Sequence, residues 1–422
     1  MTPDNPDRFL CALFNRAVSV ADPMLSLAGH LPPKPVGRVV VVGAGKASAR
    51  MAEAVEREWG PCEGLVITRY GYARPCEGIE IVEAGHPTPD EAGVRGTKRM
   101  LDLLMSLDED CFVLGLISGG ASSLLVAPVE GVSLEQKQQL NLALLASGAP
   151  IDKINTVRKH LSMVKGGLLA KAASPARMLN LIISDVPGDD PAFVGSGPTV
   201  GDDTTPSDAP DILREWNIDA SDQVQKALSQ PNHLVAPGSA CLSRTENRMI
   251  ATPMASLQVA ERAANGVKAQ ILGDAVEGEA RAVAKEHAKL ALDFQKTLEP
   301  GDEPLLLLSG GELTVTRTGS GVGGPNAEYC LALALALGGK GGIYVIACDS
   351  DGVDGGDEVA GAVVSPDTLV LAQKAGIDAG TALKNNDAHT FFNVIDCQVV
   401  TGPTLTNVND FRAILVFPDV SQ

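Results

Sequence analysis

The chain has 422 residues, 45% of them apolar and 20% charged. This is a globular composition too long for one ordinary core, so two domains are expected. Its 34 basic and 52 acidic residues leave a net charge of −18, which argues against nucleic acid or anionic lipid as a partner but not against a small anion in a local basic pocket. Eight cysteines with no C-x-x-C pair, a polar N-terminus without a signal-peptide core, and no apolar run long enough to span a bilayer point to reduced thiols and a cytoplasmic protein.

In chain order, residues 9–28 are predicted as a helix, ended by the proline cluster at 32–35. Strand 39–42, helix 46–59, strands 65–67 and 79–82, helix 90–107, strand 112–117, helix 133–145 and strand 179–183 follow. This alternation predicts an α/β layer fold whose N-terminal domain is a Rossmann-like parallel sheet. The glycines and prolines of 195–240 place a domain boundary late in that stretch, giving domains 1–235 and 236–422, with helix 9–28 assignable to either. The second half restarts with strand 248–252, helix 254–266, strand 268–272, helix 279–298, strands 305–308 and 313–316, helix 326–337, and strands 343–348, 397–400 and 413–416. Short hairpin-like strands around Glu312 predict a smaller C-terminal α/β domain with a mixed sheet.

Four apolar runs end in polar, glycine-rich turns, and ligands of parallel sheets bind at such strand ends. Gly43-Ala44-Gly45-Lys46 follows the first run; its bare amides suit an anion, and Lys46 adds an ammonium at a helix start. Ser48 stands where a dinucleotide fingerprint needs a third glycine or alanine, and no acid follows the second strand, so nicotinamide binding is disfavoured. Ser118-Gly119-Gly120-Ala121-Ser122-Ser123 offers two glycines and three hydroxyls for phosphate or carboxylate oxygens. Residues 155–166 concentrate Arg158, Lys159 and Lys165, with Arg158 and Lys165 on one face if the segment is helical. Asp185, Asp189 and Asp190 crowd one turn, as do Asp349, Asp351 and Asp354, and each trio suits a divalent cation. Ser309-Gly310-Gly311-Glu312 ends a third strand, and the glycines of 319–324 lead into a helix at Pro325-Asn326. No histidine pairing predicts zinc.

Taken together and in order, these segments, with Gly85-His86-Pro87-Thr88-Pro89 and Asn155-Thr156-Val157-Arg158-Lys159-His160, resemble the class II glycerate kinases. This is the glycerate 2-kinase family, some of whose members carry the older name hydroxypyruvate reductase. The resemblance spans about residues 8–416. It implies two α/β domains with the active site in the cleft between them, ATP and Mg²⁺ as cofactors, and D-glycerate converted to 2-phosphoglycerate. The family often has arginine in a G-G-R-N-x-E pattern where this chain has Gly323-Gly324-Pro325-Asn326-Ala327-Glu328.

On this reading Lys46, Asp189 and Arg158 are the catalytic candidates. Lys46 binds phosphate oxygens, Asp189 takes the hydroxyl proton or holds metal, and Arg158 holds the substrate carboxylate. Gly43, Gly45, Ser118, Gly119, Gly120, Ala121, Ser122, Lys165, Ser309, Gly310, Glu312 and Asn326 are candidates for substrate or nucleotide binding. Asp185, Asp190 and Asp351 are the metal candidates. The expected partners are ATP and a small hydroxy acid, with assembly as a homodimer left open. The rival readings are an NAD(P)H-dependent hydroxypyruvate reductase, a kinase for another sugar acid, and a non-catalytic acid-binding protein.

Overall fold

The computed structural model describes residues 3–356 and 358–419. The chain divides into two compact units, one formed by Pro23–Ile250 and the other by residues up to Asp22 with those from Ala251 onward. In the first unit, β1 (Val39–Ala44), β2 (Glu63–Arg69), β3 (Ile79–Ala84), β4 (Phe112–Ile117), β5 (Arg177–Ile183) and β6 (Thr245–Ala251) form one sheet in the order β3-β2-β1-β4-β5-β6. The pairs from β3 through β5 are parallel. Every residue of β1 and β4 is buried, as expected for central strands covered by helices on both faces. The order reverses direction at β1/β4, so the chain leaves these two neighbours toward opposite sides and opens a crevice beyond their carboxyl ends.

A second hydrophobic cluster lies apart from the sheet. The helices Leu134–Ala146, Ile151–His160, Asp208–Glu215 and Asp222–Leu228 share it through Leu140, Leu144, Ile154, Val157, Ile212 and Val224. The helix Leu134–Ala146 begins with a capping box in which Ser133 and Gln136 satisfy each other's backbone amides, which fixes its start.

The second unit carries a mixed sheet of β7 (Lys268–Gly273), β9 (Leu305–Gly310), β11 (Ile343–Asp349), β12 (Gly361–Val364), β13 (Gln398–Val399) and β14 (Asp410–Val416), ordered β13-β12-β11-β14-β9-β7. Only β7 and β9 pair in parallel. A separate ribbon joins β8 (Gly278–Glu279) to β10 (Leu313–Thr314). The helices Pro6–Ala21 and Pro253–Ala263 cover one face, where Leu10, Leu13 and Phe14 meet Leu306, Ile346 and Phe411. Ala280–Gln295 and Pro325–Leu337 cover the other.

Several expectations need correction. The first helix stops at Ala21 rather than 28, because Pro23 forces Asp22 out of helical backbone (ψ 113°). That helix packs in the unit formed by the chain's far end. The strand expected to open the second half is β6, the edge strand of the first sheet beside β5, so the division falls after Ile250 rather than at 235. The 313–316 strand shortens to Leu313–Thr314. All eight cysteines are free thiols. Among the described residues no helix is long and apolar enough to cross a membrane.

Candidate active site

The turn after β1 and the turn after β4 are bonded to each other. Gly45 N donates to Ile67 O (3.1 Å), Lys46 N to Gly119 O (2.8 Å), and Ala47 N to Ser118 Oγ (3.0 Å). The amides of Gly45, Lys46 and Ala47 are therefore spent on protein, and Gly43 and Gly45 serve packing. A Cβ on Gly45 would overlap the Ser118 hydroxyl and lie 2.6 Å from its carbonyl oxygen, at a φ of 139° that side chains rarely adopt. Gly43 is pressed against the Leu116 backbone in the same way. Ser118 is fully buried, and Gly43, Gly45, Ser118 and Gly119 are buried against neighbouring protein. Gly45→Ala should cost about 3 kcal/mol or more from overpacking and backbone strain, read as a lowered urea midpoint. A variant as stable as wild type would return Gly45 to the list of ligand contacts.

Gly120 marks where this turn meets the ligand side. Its φ is 83°, and an added Cβ would sit 3.0 Å from the His86 imidazole and 3.2 Å from Lys46 Cγ. The Lys46 stem and the His86 ring thus lie over bare backbone. Beside them opens a cavity of about 160 Å³. It is lined by His86, Pro87 and Pro89 from the loop after β3, and by Gly120, Ser122 and Ser123 from the loop after β4. Lys137, Leu140, Asn141 and Leu144 come from one helix face, Val157 and Arg158 from the next helix, and Leu161 and Lys165 from the segment beyond it.

Three cationic side chains enter this space, and among the described residues their hydrogen-bond partners are all neutral. Lys137 Nζ donates to Leu161 O (3.1 Å), Arg158 Nε to Asn141 Oδ1 (2.7 Å), and Lys165 Nζ to the carbonyls of Ser122 (2.8 Å) and Gly195 (3.4 Å). Burial, and after it the nearby Arg158 charge, lower the Lys137 pKa to about 8. Burial brings Arg158 down to about 10. Lys165 is pushed well below the ordinary lysine value by burial and then by the charges of Lys137, Arg158 and Lys159. Lys159 turns the other way into a buried ion pair with Asp202 (2.7 Å). The helix ends at His160, so Arg158 and Lys165 do not share a helix face as expected. Lys165 instead reaches the cavity through an irregular segment that ends at Gly166 and Gly167, both with positive φ.

The turn after β5 carries the acidic candidates. Asp185 and Asp189 are half-buried and Asp190 is exposed. Asp190 Oδ1 accepts from Ala192 N (2.8 Å), and Asp189 adopts φ 54°, a region aspartate tolerates better than most residues. Immediately downstream, the turn Val194–Ser196 is tied to the cavity: Ser196 Oγ bonds Ser122 Oγ (2.8 Å) and Asn155 Oδ1 (3.1 Å). Among the described residues no group of three histidine, cysteine or acidic side chains is placed to hold a metal ion, so the expected trios do not close around a cation.

In the second unit the acidic loop caps backbone instead. Asp354 is fully buried; its Oδ1 accepts from Asn326 N (2.9 Å) and its Oδ2 from Ala327 N (2.8 Å), at the start of the helix Pro325–Leu337. Asn326 Nδ2 donates to Asp410 Oδ1 (2.8 Å), and Asp410 Oδ2 accepts from Arg412 Nη1 (3.1 Å). Arg412 Nη2 donates to the Gly310 and Gly311 carbonyls (2.7 and 2.9 Å). Asp351, 1% exposed, accepts from Val353 N (2.8 Å). Ser309 is paired within the sheet, whereas Glu312 is exposed. Asn326, Asp351, Ser309 and Gly310 thus belong to a buried scaffold at the strand ends.

Residues 9–229 match the domain of unknown function DUF4147, and residues 305–410 match the MOFRL family. A putative hydroxypyruvate reductase of Agrobacterium vitis is 48% identical, over 96% of this chain and 93% of that protein. The D-glycerate 2-kinase of Thermotoga maritima is 37% identical, over 97% of this chain and 98% of its own length. The crystal structure of the Thermotoga maritima glycerate kinase superposes with a TM-score of 0.86 at 36% identity, covering 98% of this chain and 100% of that one. The chain belongs to the glycerate 2-kinase family.

Within that family framework, the reductase name carried by the Agrobacterium relative meets a physical obstacle here. A dinucleotide fold binds pyrophosphate on free amides at the first helix, and in this chain the Lys46 and Ala47 amides are already bonded. The sequence reading missed Lys137, Asn141, Asp410 and Arg412. Lys137 shares its helix face with Leu140, Asn141 and Leu144, and a lysine at that spacing on an apolar face was the available signal. For Asp410 and Arg412 it was a charged pair opening an otherwise apolar strand.

Proposed function

We propose that this chain transfers the γ-phosphoryl group of ATP to the 2-hydroxyl of D-glycerate. The observation that carries this reading is the cavity beyond β4, where buried Lys137 and Lys165 and half-buried Arg158 face no carboxylate among the described residues. Charges so buried cost several kcal/mol each unless a partner arrives, and the carboxylate of a small hydroxy acid is such a partner. Arg158, with Lys165, holds that carboxylate. Asn141 occupies Nε of Arg158, leaving its Nη pair for a bidentate grip. Lys46, packed on Gly120 at the cavity edge, stabilises charge on the transferring phosphoryl group. Asp189 accepts the proton of the 2-hydroxyl as the bond to phosphorus forms. Asp185 and Asp190 supply hard carboxylate oxygens of the kind Mg²⁺ takes one or two of; the ion neutralises phosphate charge when bound. Free thiols at every cysteine support a reducing, cytoplasmic setting.

A coupled assay of ADP release against D-glycerate, L-glycerate and other small hydroxy acids, followed by NMR of the product, tests the reading. ATP-dependent turnover of D-glycerate with phosphate on O2 is expected. Oxidation of NADH by hydroxypyruvate without need for ATP would replace the kinase with the reductase.

A further inference from the structure

We propose that Lys137 is a third binding residue for the acid substrate, closing on its carboxylate together with Arg158 and Lys165, and that it takes up a proton as the acid binds. The inference rests on the kinase reading for the identity of the acid, but its own support is the contrast between two lysines of this fold. Lys159 is buried and structural, and it has the carboxylate such a position demands, Asp202 at 2.7 Å. Lys137 is 8% exposed, and among the described residues its ammonium has only the Leu161 carbonyl at 3.1 Å. A neutral amide could serve that carbonyl without the cost of a buried charge. The other titratable or charged side chains lining the same cavity are His86, Arg158 and Lys165, none of them acidic.

The stoichiometry of contacts also fits. An ionised carboxylate offers two oxygens with about four lone-pair sites, enough for the Arg158 Nη pair and two ammonium groups. Burial and the Arg158 charge lower the Lys137 pKa to about 8. Above that pH the side chain is largely the free amine. The arriving anion favours the ammonium, so the Nζ lone pair takes a proton from solvent and binding is linked to proton uptake.

The test compares wild type, Lys137→Met and Lys137→Arg, using D-glycerate as the probe at pH 9. Glycerate binding is measured calorimetrically in buffers of different ionisation enthalpy, with KM for glycerate and for ATP and the melting temperature measured alongside. Lys137→Met should raise the glycerate Kd and KM by ~10–100-fold, the effect of losing a hydrogen bond to a charged group, and leave the KM for ATP within about twofold of wild type. Lys137→Arg should recover most of the affinity while taking up about one proton fewer, because arginine stays charged. An unchanged glycerate Kd in Lys137→Met, or the same proton uptake in all three proteins, overturns the proposal even if the methionine variant melts lower. Glycerate binding without turnover in wild type would instead sink the kinase reading and leave Lys137 to be judged by Kd and proton uptake alone.

Discussion

Lys46→Ala is expected to lower turnover of glycerate by at least ~100-fold with little change in melting temperature. The size follows from what is left at the turn once the lysine is gone. In many phosphate sites backbone amides share the work, but here the amides of Gly45, Lys46 and Ala47 are bonded to Ile67, Gly119 and Ser118. Side-chain charge therefore carries the load. The residue is also held in place. Its amide is pinned at 2.8 Å to Gly119 O, and its Cγ lies where Gly120 has no side chain, so little reorganisation is needed during transfer. Loss of one such preorganised donor costs about 2.7–4 kcal/mol in barrier height. With the acid held by Arg158 and Lys165 as proposed, kcat should fall far more than KM for glycerate rises. Measured ADP release near the wild-type rate would remove Lys46 from the mechanism.

The parallel sheet was legible because continuous apolar runs alternate with helices of ordinary length, and that pattern needs no tertiary information. The turn at 43–46 was legible as a place requiring glycine, but not as to why. A sequence cannot say whether the close neighbour of Gly45 is a phosphate or Ser118. Arg158 and Lys165, singled out in the basic stretch at 155–166 as a candidate grip for an anion, both line the cavity, although through a broken helix rather than a shared face. It also grouped with them Lys159, which Asp202 neutralises. The prolines and glycines of 195–240 suggested a domain boundary late in that stretch. In the fold, Gly197 O accepts from Gly167 N, Pro198 O from Leu169 N, and Gly166 O from Val235 N. The stretch is therefore strapped to the segment carrying Lys165, and the chain cannot leave the unit until β6 is laid down. Aspartate density misled in a similar way at 349–354. Carboxylates that cap amides and carboxylates that bind metal have the same composition and differ only in what points at them.

The largest stability effect is expected from Asp354→Ala. Its carboxylate accepts from Asn326 N, Asn326 Nδ2 and Ala327 N, and Gly324 is bare because a side chain there would strike that carboxyl. Alanine leaves the Asn326 and Ala327 amides without this acceptor at the start of a helix that is apolar on nearly every face. The combined loss of the cap and of the desolvated bonds comes to about 3–5 kcal/mol. A lowered urea midpoint by circular dichroism, with faster amide exchange in the first turn of Pro325–Leu337, is the expected result; unchanged protection of the Asn326 and Ala327 amides would contradict it. The pH dependence gives an independent check. Burial pushes the Asp354 carboxyl up to about 7, with the amide donors pulling the other way, and the ordinary value is 3.8. The folded protein then holds more protons than the unfolded chain between those values. This group's contribution is fully present below about pH 4 and is lost as pH rises through 7. Asp354→Asn, which keeps one acceptor oxygen but does not titrate, should be less destabilised than alanine and should flatten that part of the stability profile. A profile identical to wild type would mean that Asp354 does not titrate in this window.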